Sequence, residues 1–249
     1  MTELIYGFHA INAILEKSPK RIKEFYYSNE KKNYKVISIL KKIKTLNITV
    51  IKTNRKWINE QIKKTSNQGC FVKVTKNKEQ KESDLIKIIK NTKTPFLLAL
   101  DCITDPYNLG ACLRSANAAG INAVIIPKDK SAKLNSTVKK VACGAVENTP
   151  IFRVTNLVRT LCLLKNNNIR IIGTTVEKTK NTIYQCKLTD SIILVMGSEN
   201  KGLRHLTKKH CNELINIPTI GSISSLNVSV ATGICLFEAI RQRLFIKNK

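Results

Sequence analysis

The amino-acid sequence predicts an α/β protein in which a domain with a mostly parallel sheet follows a smaller α/β domain. Beyond Pro95, short apolar runs alternate with helical patterns, as expected for buried parallel strands connected by helices. Residues 77–94 are polar, charged and weakly periodic, which is typical of a linker. The net charge is +14 over residues 1–94 and +12 over the remaining 155 residues, so the N-terminal part carries more positive charge per residue. We therefore expect domains at 1–76 and 95–249.

The N-terminal part contains alternating helical and strand patterns, enough for a small domain. The first helix is predicted at 4–16, because Ile5, Phe8 and Ile11 fall on one face. The last strand is predicted at 69–74, where the residues alternate in character. Between them we expect strands at 22–27 and 48–51 and helices at 34–46 and 55–63. The linker that follows is expected to form a loose helix around the apolar residues 85–89.

The C-terminal part begins with an apolar run at 96–100, which suits a buried parallel strand. A helix at 109–119, ended by Gly120, follows it. The last helix is expected to begin near Leu226 and to bury one face, formed by Ile234, Phe237, Ile240 and Leu244. The intervening strands are predicted at 123–126, 151–154, 169–174, 192–196 and 213–217, and the helices near 136–143, 157–166 and 203–209. Sheets of this kind bind ligands at the carboxyl ends of their strands.

The composition excludes several classes of protein. No apolar run approaches the roughly 20 residues that span a bilayer, and the N-terminus lacks the pattern of a signal peptide, so we expect a cytoplasmic protein without a membrane partner. The eight cysteines form no Cys-x-x-Cys pair, which argues against a zinc site or a redox motif. His205, His210 and Cys211 lack a fourth ligand nearby and are interpreted as surface residues. We expect no bound metal.

The net charge of +26 predicts a polyanionic partner, most simply a nucleic acid. Of the 43 basic residues only nine are arginine, and the sequence is also rich in Asn and Ile. This bias is typical of AT-rich coding sequence. We therefore rely on the sign of the charge rather than on its size.

The first of three loops that suggest chemistry covers residues 105–114, Asp-Pro-Tyr-Asn-Leu-Gly-Ala-Cys-Leu-Arg. Asp105 and Asn108 are suited to turning the chain and capping a helix, and Gly110 permits close approach of another backbone. Arg114 lies early in an otherwise apolar helix. Its position is equally consistent with a surface residue whose stem covers apolar groups and with a phosphate ligand.

The second loop covers residues 197–202, Gly-Ser-Glu-Asn-Lys-Gly, after an apolar strand. Glu199 would repel phosphate, so it fits better as a hydrogen-bond acceptor or as a partner for Arg114. The third loop covers residues 217–231, Ile-Pro-Thr-Ile-Gly-Ser-Ile-Ser-Ser-Leu-Asn-Val-Ser-Val-Ala. Pro218 ends a strand, and Ser224 and Ser225 are predicted to cap the helix that follows. Taken alone, this loop is better explained as the serine-capped loop before a last helix that many α/β folds contain than as a ligand site.

Together and in this order, the three loops resemble the motifs of the SpoU (TrmH-type) class of SPOUT RNA ribose 2′-O-methyltransferases. The motifs are Asp-Pro-x-Asn-x-Gly…Arg, Gly-x-Glu-x-x-Gly and Ile-Pro…Ser-Leu-Asn-Val. Residues 6–10, 67–69 and 128–135 are similar to members that methylate a guanosine in the peptidyl-transferase P loop of 23S rRNA. The resemblance implies a trefoil-knotted SPOUT domain after an L30e-like RNA-binding domain, and a homodimer whose two subunits share each site. The partner would be 23S rRNA or a large-subunit assembly intermediate.

The resemblance also implies the site residues. S-adenosyl-L-methionine would be held, largely by backbone, at Thr174, Gly197, Ile217 and Leu226. The implied catalytic residues are Asn108, Arg114, Glu199, Ser225 and Asn227. In the family the counterpart of Arg114 is proposed to act with the substrate phosphate. Because arginine stays protonated in proteins, we favour a positioning role for it. Asn200 and Thr219 depart from the family pattern, and Asn tolerates the positive φ of a glycine position.

Two other functions remain open at this point. One is methylation of a tRNA ribose, against which the N-terminal domain argues. The other is a non-catalytic RNA-binding factor in ribosome assembly, against which the intact set of motif residues argues.

Overall fold

The structure is a computed structural model that describes residues 2–28, 33–62, 68–76, 80–177, 179–199, 201–222 and 224–247, with side chains to Phe245. Asn67, Asn200 and Lys63, which the sequence analysis included in two motifs and a helix, lie outside the described residues. The chain divides into two compact units. The first comprises 1–78 and 139–148, and the second comprises 79–138 and 149–249.

The first unit is a four-stranded mixed sheet with helices. Its strands lie in the order β1-β4-β2-β3, with β2 and β3 parallel and the other pairs antiparallel. A buried cluster that includes Ile5, Ile11 and Phe25 holds the sheet and helices together. The elements are β1 (Thr2–Tyr6), α1 (Phe8–Lys17), β2 (Ile22–Ser28), α2 (Tyr34–Lys44), β3 (Thr49–Thr53), α3 (Arg55–Ile62) and β4 (Cys70–Thr75).

The start of this unit differs from the prediction. The helix expected at 4–16 begins only at Phe8, and the residues before it form β1. The reason is long-range pairing, because β1 forms an antiparallel ladder with β4. Ile5 and Tyr6 are buried in two different apolar clusters, as alternation along a strand requires. Gly7, with a φ of 96°, separates the strand from the helix.

The second unit is built on a seven-stranded sheet in which every pairing is parallel. The strand order is β7-β6-β5-β10-β8-β11-β9. The elements of the chain from residue 79 onward are α4 (Glu82–Lys90), β5 (Phe96–Asp101), α5 (Pro106–Ala118), β6 (Ala123–Pro127), α6 (Ser136–Val141), α7 (Ala145–Asn148), β7 (Ile151–Val154), α8 (Leu157–Asn166), β8 (Arg170–Thr174), β9 (Asn181–Thr182), β10 (Ile192–Gly197), α9 (His205–His210), β11 (Glu213–Asn216) and α10 (Val228–Lys247).

The segment expected to be a linker belongs to the second unit from residue 79 onward. Its helix α4 is amphipathic, and Leu85 and Ile89 are buried in the apolar cluster that also contains Leu97. The short apolar pattern predicts only a loose helix, because most of the apolar cluster that buries α4 is formed by residues distant in the sequence. A second difference concerns residues 139–148, which group with the first unit although the expected boundary placed them in the second.

The last helix buries a different face from the one predicted. Phe237 and Leu244 are 50% and 56% exposed, whereas Cys235, Leu236 and Ala239 are buried where α10 packs against α5 and β10. Apolar residues surround most of this helix, so periodicity did not identify its buried face.

Four strands end at one edge of the parallel sheet. β10 ends at Gly197 between β5, which ends at Asp101, and β8, which ends at Thr174. β11, beside β8, ends at Asn216. The loops that follow these strands include the three motif loops. Among the helices that the structure describes, none is both long and apolar enough to cross a bilayer.

Candidate active site

Side chains from all three motif loops meet above this edge. Asn108 Nδ2 donates to Glu199 Oε1 at 2.9 Å, and Asn227 Nδ2 donates both to Glu199 Oε1 and to Asn108 Oδ1 (the latter at 3.0 Å). The backbone amide of Val228 also points at Glu199 Oε1, at 3.4 Å. One carboxylate oxygen thus collects donors from α5 and from the start of α10. Glu199 acts here as an acceptor, one of the two roles predicted for it.

Asn227 is oriented by the helix that it caps. Its Oδ1 accepts from the Ser229 backbone amide at 2.9 Å and from the Ser229 hydroxyl at 2.6 Å. This is the contact of an N-cap residue, and it leaves Nδ2 directed at Glu199. The prediction that Ser224 and Ser225 cap this helix was wrong. The helix begins at Val228, two residues after the predicted start near Leu226, so Asn227 occupies the capping position.

Asn108 is positioned by the first turn of α5. Asp105 caps this helix by accepting from the Asn108 backbone amide at 2.9 Å, and Pro106 occupies the first helical position. Of the two caps that the sequence suggested, Asp105 has that role. The Asn108 side chain is therefore available to contact Glu199.

Arg114 does not join this group within the chain. It is exposed, and no hydrogen bond or ion pair connects it to any residue in the described ranges. Helix geometry explains the separation, because six residues after Asn108 correspond to about 9 Å along α5 and to a different face. Within one chain, Glu199 is therefore not paired with Arg114, the second role that the sequence suggested for it.

A cavity of about 380 Å³ opens beside Glu199. The four residues predicted to hold the cofactor all line it: Thr174, Gly197, Ile217 and Leu226. Ser225 lines it too, so the structure brings this residue to the cavity wall rather than into the hydrogen-bonded group. The volume is within the range of small-molecule sites, about 300–1,000 Å³.

The cavity presents both signs of charge. Glu177 and Lys208 form an ion pair of 2.8 Å between their side chains, and Lys201 and Glu199 add one charge of each sign. Gly197, in the wall of this cavity, is packed closely against the backbone of its own loop. A Cβ there would lie 2.2 Å from the carbonyl carbon of Gly202, so no side chain can be accommodated.

A thiol beneath the site is a packing group. Burial raises the pKa of the Cys112 thiol to about 11, and its sulfur lies 3.4 Å from the Thr232 hydroxyl, where α5 packs on α10. The thiol is therefore protonated at neutral pH and does not provide a nucleophile. Across the described ranges, no three His, Cys, Asp or Glu side chains are grouped as metal ligands.

Sequence reasoning missed two residues near the site. Ser229 fixes the orientation of Asn227. The sequence contains a signal for this contact, because a serine two residues after a capping asparagine can donate to the asparagine side chain. Asp101 is a fully buried carboxylate at the end of an apolar strand. An acid in such a run is a signal in itself, because a buried charge requires a partner.

The parallel sheet, the cavity at its carboxyl edge and the amide–carboxylate group define a ligand-binding α/β domain with a polar site beside its cavity. The comparisons with known proteins identify its class. Residues 95–237 match the SpoU rRNA Methylase family, and residues 4–80 match the domain described as RNA 2′-O ribose methyltransferase substrate binding.

The chain belongs to the SpoU rRNA methylase family and is a methyltransferase. It is 51% identical to the 23S rRNA (guanosine-2′-O-)-methyltransferase RlmB of Photorhabdus laumondii, over 98% of this chain and 99% of that protein. Its identity to RlmB of Escherichia coli K12 is 49%, over 98% and 100%. The SpoU methyltransferase AviRb of Streptomyces viridochromogenes, solved with AdoMet, superposes with a TM-score of 0.81 at 21% identity, covering 98% of this chain and 91% of that one. The family and fold class predicted from the sequence are confirmed.

Proposed function

We propose that this protein transfers a methyl group from S-adenosyl-L-methionine to the ribose 2′-hydroxyl of a guanosine in 23S rRNA. The observation that carries the proposal is the convergence of Asn108, Glu199 and Asn227 beside the cavity. Full-length similarity to two enzymes that are named for this reaction supports the choice of substrate. The modified nucleotide lies in the peptidyl-transferase P loop, and the reaction belongs to ribosome maturation in the cytoplasm.

The cavity holds the cofactor. Thr174, Gly197, Ile217 and Leu226 line it, and the mixture of carboxylates and lysines suits a ligand with ammonium, carboxylate and sulfonium charges. When bound, S-adenosyl-L-methionine supplies an electrophilic methyl group. Ser225, in the same wall, contributes its hydroxyl at the boundary between cofactor and ribose.

The polar group beside the cavity orients the ribose. As the 2′-hydroxyl oxygen bonds to the methyl carbon, the carbon–sulfur bond would break to leave S-adenosyl-L-homocysteine, and the hydroxyl proton would pass to an oxygen of the adjacent phosphate. Alignment of the reacting atoms provides much of the rate. Glu199 is fixed by the two asparagine amides, which prevents it from swinging into the cavity. Arg114 binds the phosphate next to that ribose, since a guanidinium matches phosphate geometry and does not itself act as a base.

The functional protein is a homodimer in which Arg114 of one subunit completes the site of the other. Two observations support this arrangement. Arg114 has no partner among the described residues of its own chain. A single chain also leaves apolar side chains exposed in the motif loops and along α10: Tyr107, Ile220, Leu226, Val230, Phe237, Leu244 and Phe245. An apolar patch of this kind is typical of a protein–protein interface.

The first unit binds the rRNA. Its domain matches a substrate-binding family, and the surplus of lysine in residues 1–94 suits contact with the phosphate backbone, which positions RNA without reading its sequence. The partner is free 23S rRNA or an assembly intermediate of the large subunit. The same N-terminal domain argues against a tRNA substrate, and the assembled polar group argues against a non-catalytic role.

Methyl transfer to purified RNA tests this function. In separate reactions, the chain and tritium-labelled S-adenosyl-L-methionine are incubated with one of four substrates. These are unmodified 23S rRNA, immature large-subunit particles, 16S rRNA and tRNA. We expect label in 23S rRNA or the particles, recovered as 2′-O-methylguanosine. Label on tRNA alone would reject the proposed target. Absence of label from every RNA would support a binding protein instead.

A further inference from the structure

A buried ion pair lies below the loop that carries Glu199. Asp101 is fully buried at the end of β5, in register with Gly197 of β10. Its Oδ1 accepts from Arg204 Nε at 2.8 Å and from Arg204 Nη2 at 2.7 Å, and its Oδ2 accepts from the Arg204 backbone amide at 3.2 Å. Arg204 thus supplies three donors to a carboxylate that has no access to water, and the Cys102 thiol adds a longer contact to Oδ1 at 3.5 Å.

This pair closes the Glu199 loop, residues 197–204. The loop is pinned at its start, where the backbones of Ser198 and Gly202 exchange hydrogen bonds of 3.1 and 2.8 Å. The end of the loop is also fixed, because Leu203 is buried in the apolar cluster of the sheet and Arg204 donates hydrogen bonds to Asp101. Glu199 lies between the two anchors.

The same aspartate begins the segment that carries Asn108. After Asp101 the chain turns at Cys102, whose φ is 62°, and reaches α5 four residues later. The bases of the two segments are therefore joined by the pair between Asp101 and Arg204. Their far ends are joined by the 2.9 Å hydrogen bond from Asn108 to Glu199.

We propose that Asp101 and Arg204 are positioning residues for methyl transfer. They set the distance between the Glu199 loop and the first turn of α5, and so the position of Glu199 relative to the ribose. Neither residue lines the cavity or contacts Asn108, Glu199 or Asn227 among the described contacts, so they act through the loop. This inference rests on the proposed function.

A second ion pair of the same domain provides a matched control. Arg170 donates to Glu213 at 2.8 Å between β8 and β11, and both side chains are partly buried. Arg170 begins β8, whereas the cavity lies at the other end of that strand. Loss of the Arg170 charge removes a comparable contact from the same sheet without altering the loops of the site.

The test compares Arg204→Gln with Arg170→Gln in the full-length chain, at a temperature well below the Tm of both. We expect Arg204→Gln to lower kcat ten- to hundredfold, an effect typical of a small misplacement of reacting groups, while KM for 23S rRNA changes less than about twofold. Arg170→Gln should keep kcat within about twofold of the wild-type value, even if its Tm falls as much as that of Arg204→Gln. Arg204→Lys, which keeps the charge but lacks the planar fork, should recover part of the loss.

Equal kcat values for Arg204→Gln and Arg170→Gln would overturn this inference alone, provided that the wild-type chain is active. A change confined to KM for RNA would also overturn it, since the exposed part of Arg204 would then contact the substrate. If Arg204→Gln does not fold, Arg204→Lys carries the test with the same two outcomes. No methyl transfer by the wild-type chain would overturn the proposed function and this inference with it.

Discussion

Asn227 combines a structural contact and a site contact in one amide group. Its oxygen caps α10 through Ser229, and its nitrogen reaches Glu199 and Asn108. The cap removes the freedom of the amide to rotate, so the donor faces the carboxylate before any substrate binds. Preorganisation of this kind lowers the cost of aligning the reacting groups.

Replacement of Asn227 should affect catalysis through the lost contact with Glu199 and stability through the lost helix cap. We expect Asn227→Ala to lower kcat at least about a hundredfold, because Glu199 loses a donor and its fixed position. The lost cap should lower the free energy of unfolding by about 0.5–2 kcal/mol.

The control is Asn156→Ala, because Asn156 caps α8 by accepting from the Arg159 backbone amide at 3.0 Å. It should lose similar stability and retain its kcat. If the two variants had the same kcat, Asn227 would be only a helix cap.

In the proposed homodimer, the role of Arg114 depends on a second subunit. Arg114→Ala should abolish methyl transfer and leave the affinity for S-adenosyl-L-methionine nearly unchanged, because this residue does not line the cavity. Unchanged turnover would remove Arg114 from the site.

Mixed dimers of Arg114→Ala and Glu199→Gln chains test the sharing of sites. If each site takes Arg114 from one subunit and Glu199 from the other, an equimolar mixture should recover about a quarter of the wild-type rate, because half of the dimers are mixed and each has one complete site. A mixture as inactive as either parent would place both residues in one chain.

At the scale of elements, the strands and helices with local patterns were predictable, and those defined by distant partners were not. The apolar runs of β5 and β10 and the amphipathic α8 lie close to their expected bounds. The helix predicted at 4–16 includes the residues of β1 because Ile5 falls on the same helical face as Phe8 and Ile11, and only the pairing of β1 with β4 identifies a strand there. The sequence predicts α4 only as a loose helix within a linker, because nothing local indicates the surface that buries it.

The incorporation of α4 into the second unit predicts its energetic contribution. We expect Leu85→Ala to lower the free energy of unfolding of that unit by about 2–5 kcal/mol, because Leu85 is fully buried in its apolar cluster. Lys87→Ala, on the exposed face of the same helix, should change it by less than about 0.5 kcal/mol. Urea denaturation of the two variants measures both values. A small effect of Leu85→Ala would indicate that this segment is a linker after all.

At the scale of the whole molecule, the positive sign of the net charge predicts that RNA binding weakens as the salt concentration rises. If about 6–10 phosphates are neutralised, the affinity for 23S rRNA should fall by roughly 10³–10⁵ between 50 and 200 mM salt. The affinity for S-adenosyl-L-methionine should change far less, because its site includes charges of both signs. Filter binding and calorimetry at matched salt concentrations measure the two. An rRNA affinity independent of salt would contradict the electrostatic basis of binding.

The candidate site was predictable only as a whole. Each motif loop alone was consistent with an ordinary turn, and the order of the three identified the class. Their convergence followed from the rule that parallel strands place their ends together. The separation of Arg114 from Glu199, the capping role of Asn227 and the contact between Asp101 and Arg204 depend on tertiary geometry. Chain threading such as a knot is likewise absent from any local pattern.

The central claim is that this chain methylates a ribose of 23S rRNA. The most direct measurement is the mapping of 2′-O-methyl groups in 23S rRNA from a strain that lacks the gene, with and without the gene restored. The account predicts that one P-loop guanosine loses its 2′-O-methyl group in the deletion strain. The wild-type gene should restore this group, and the Asn227→Ala variant should not. An unchanged 2′-O-methylation pattern in the deletion strain would contradict the account.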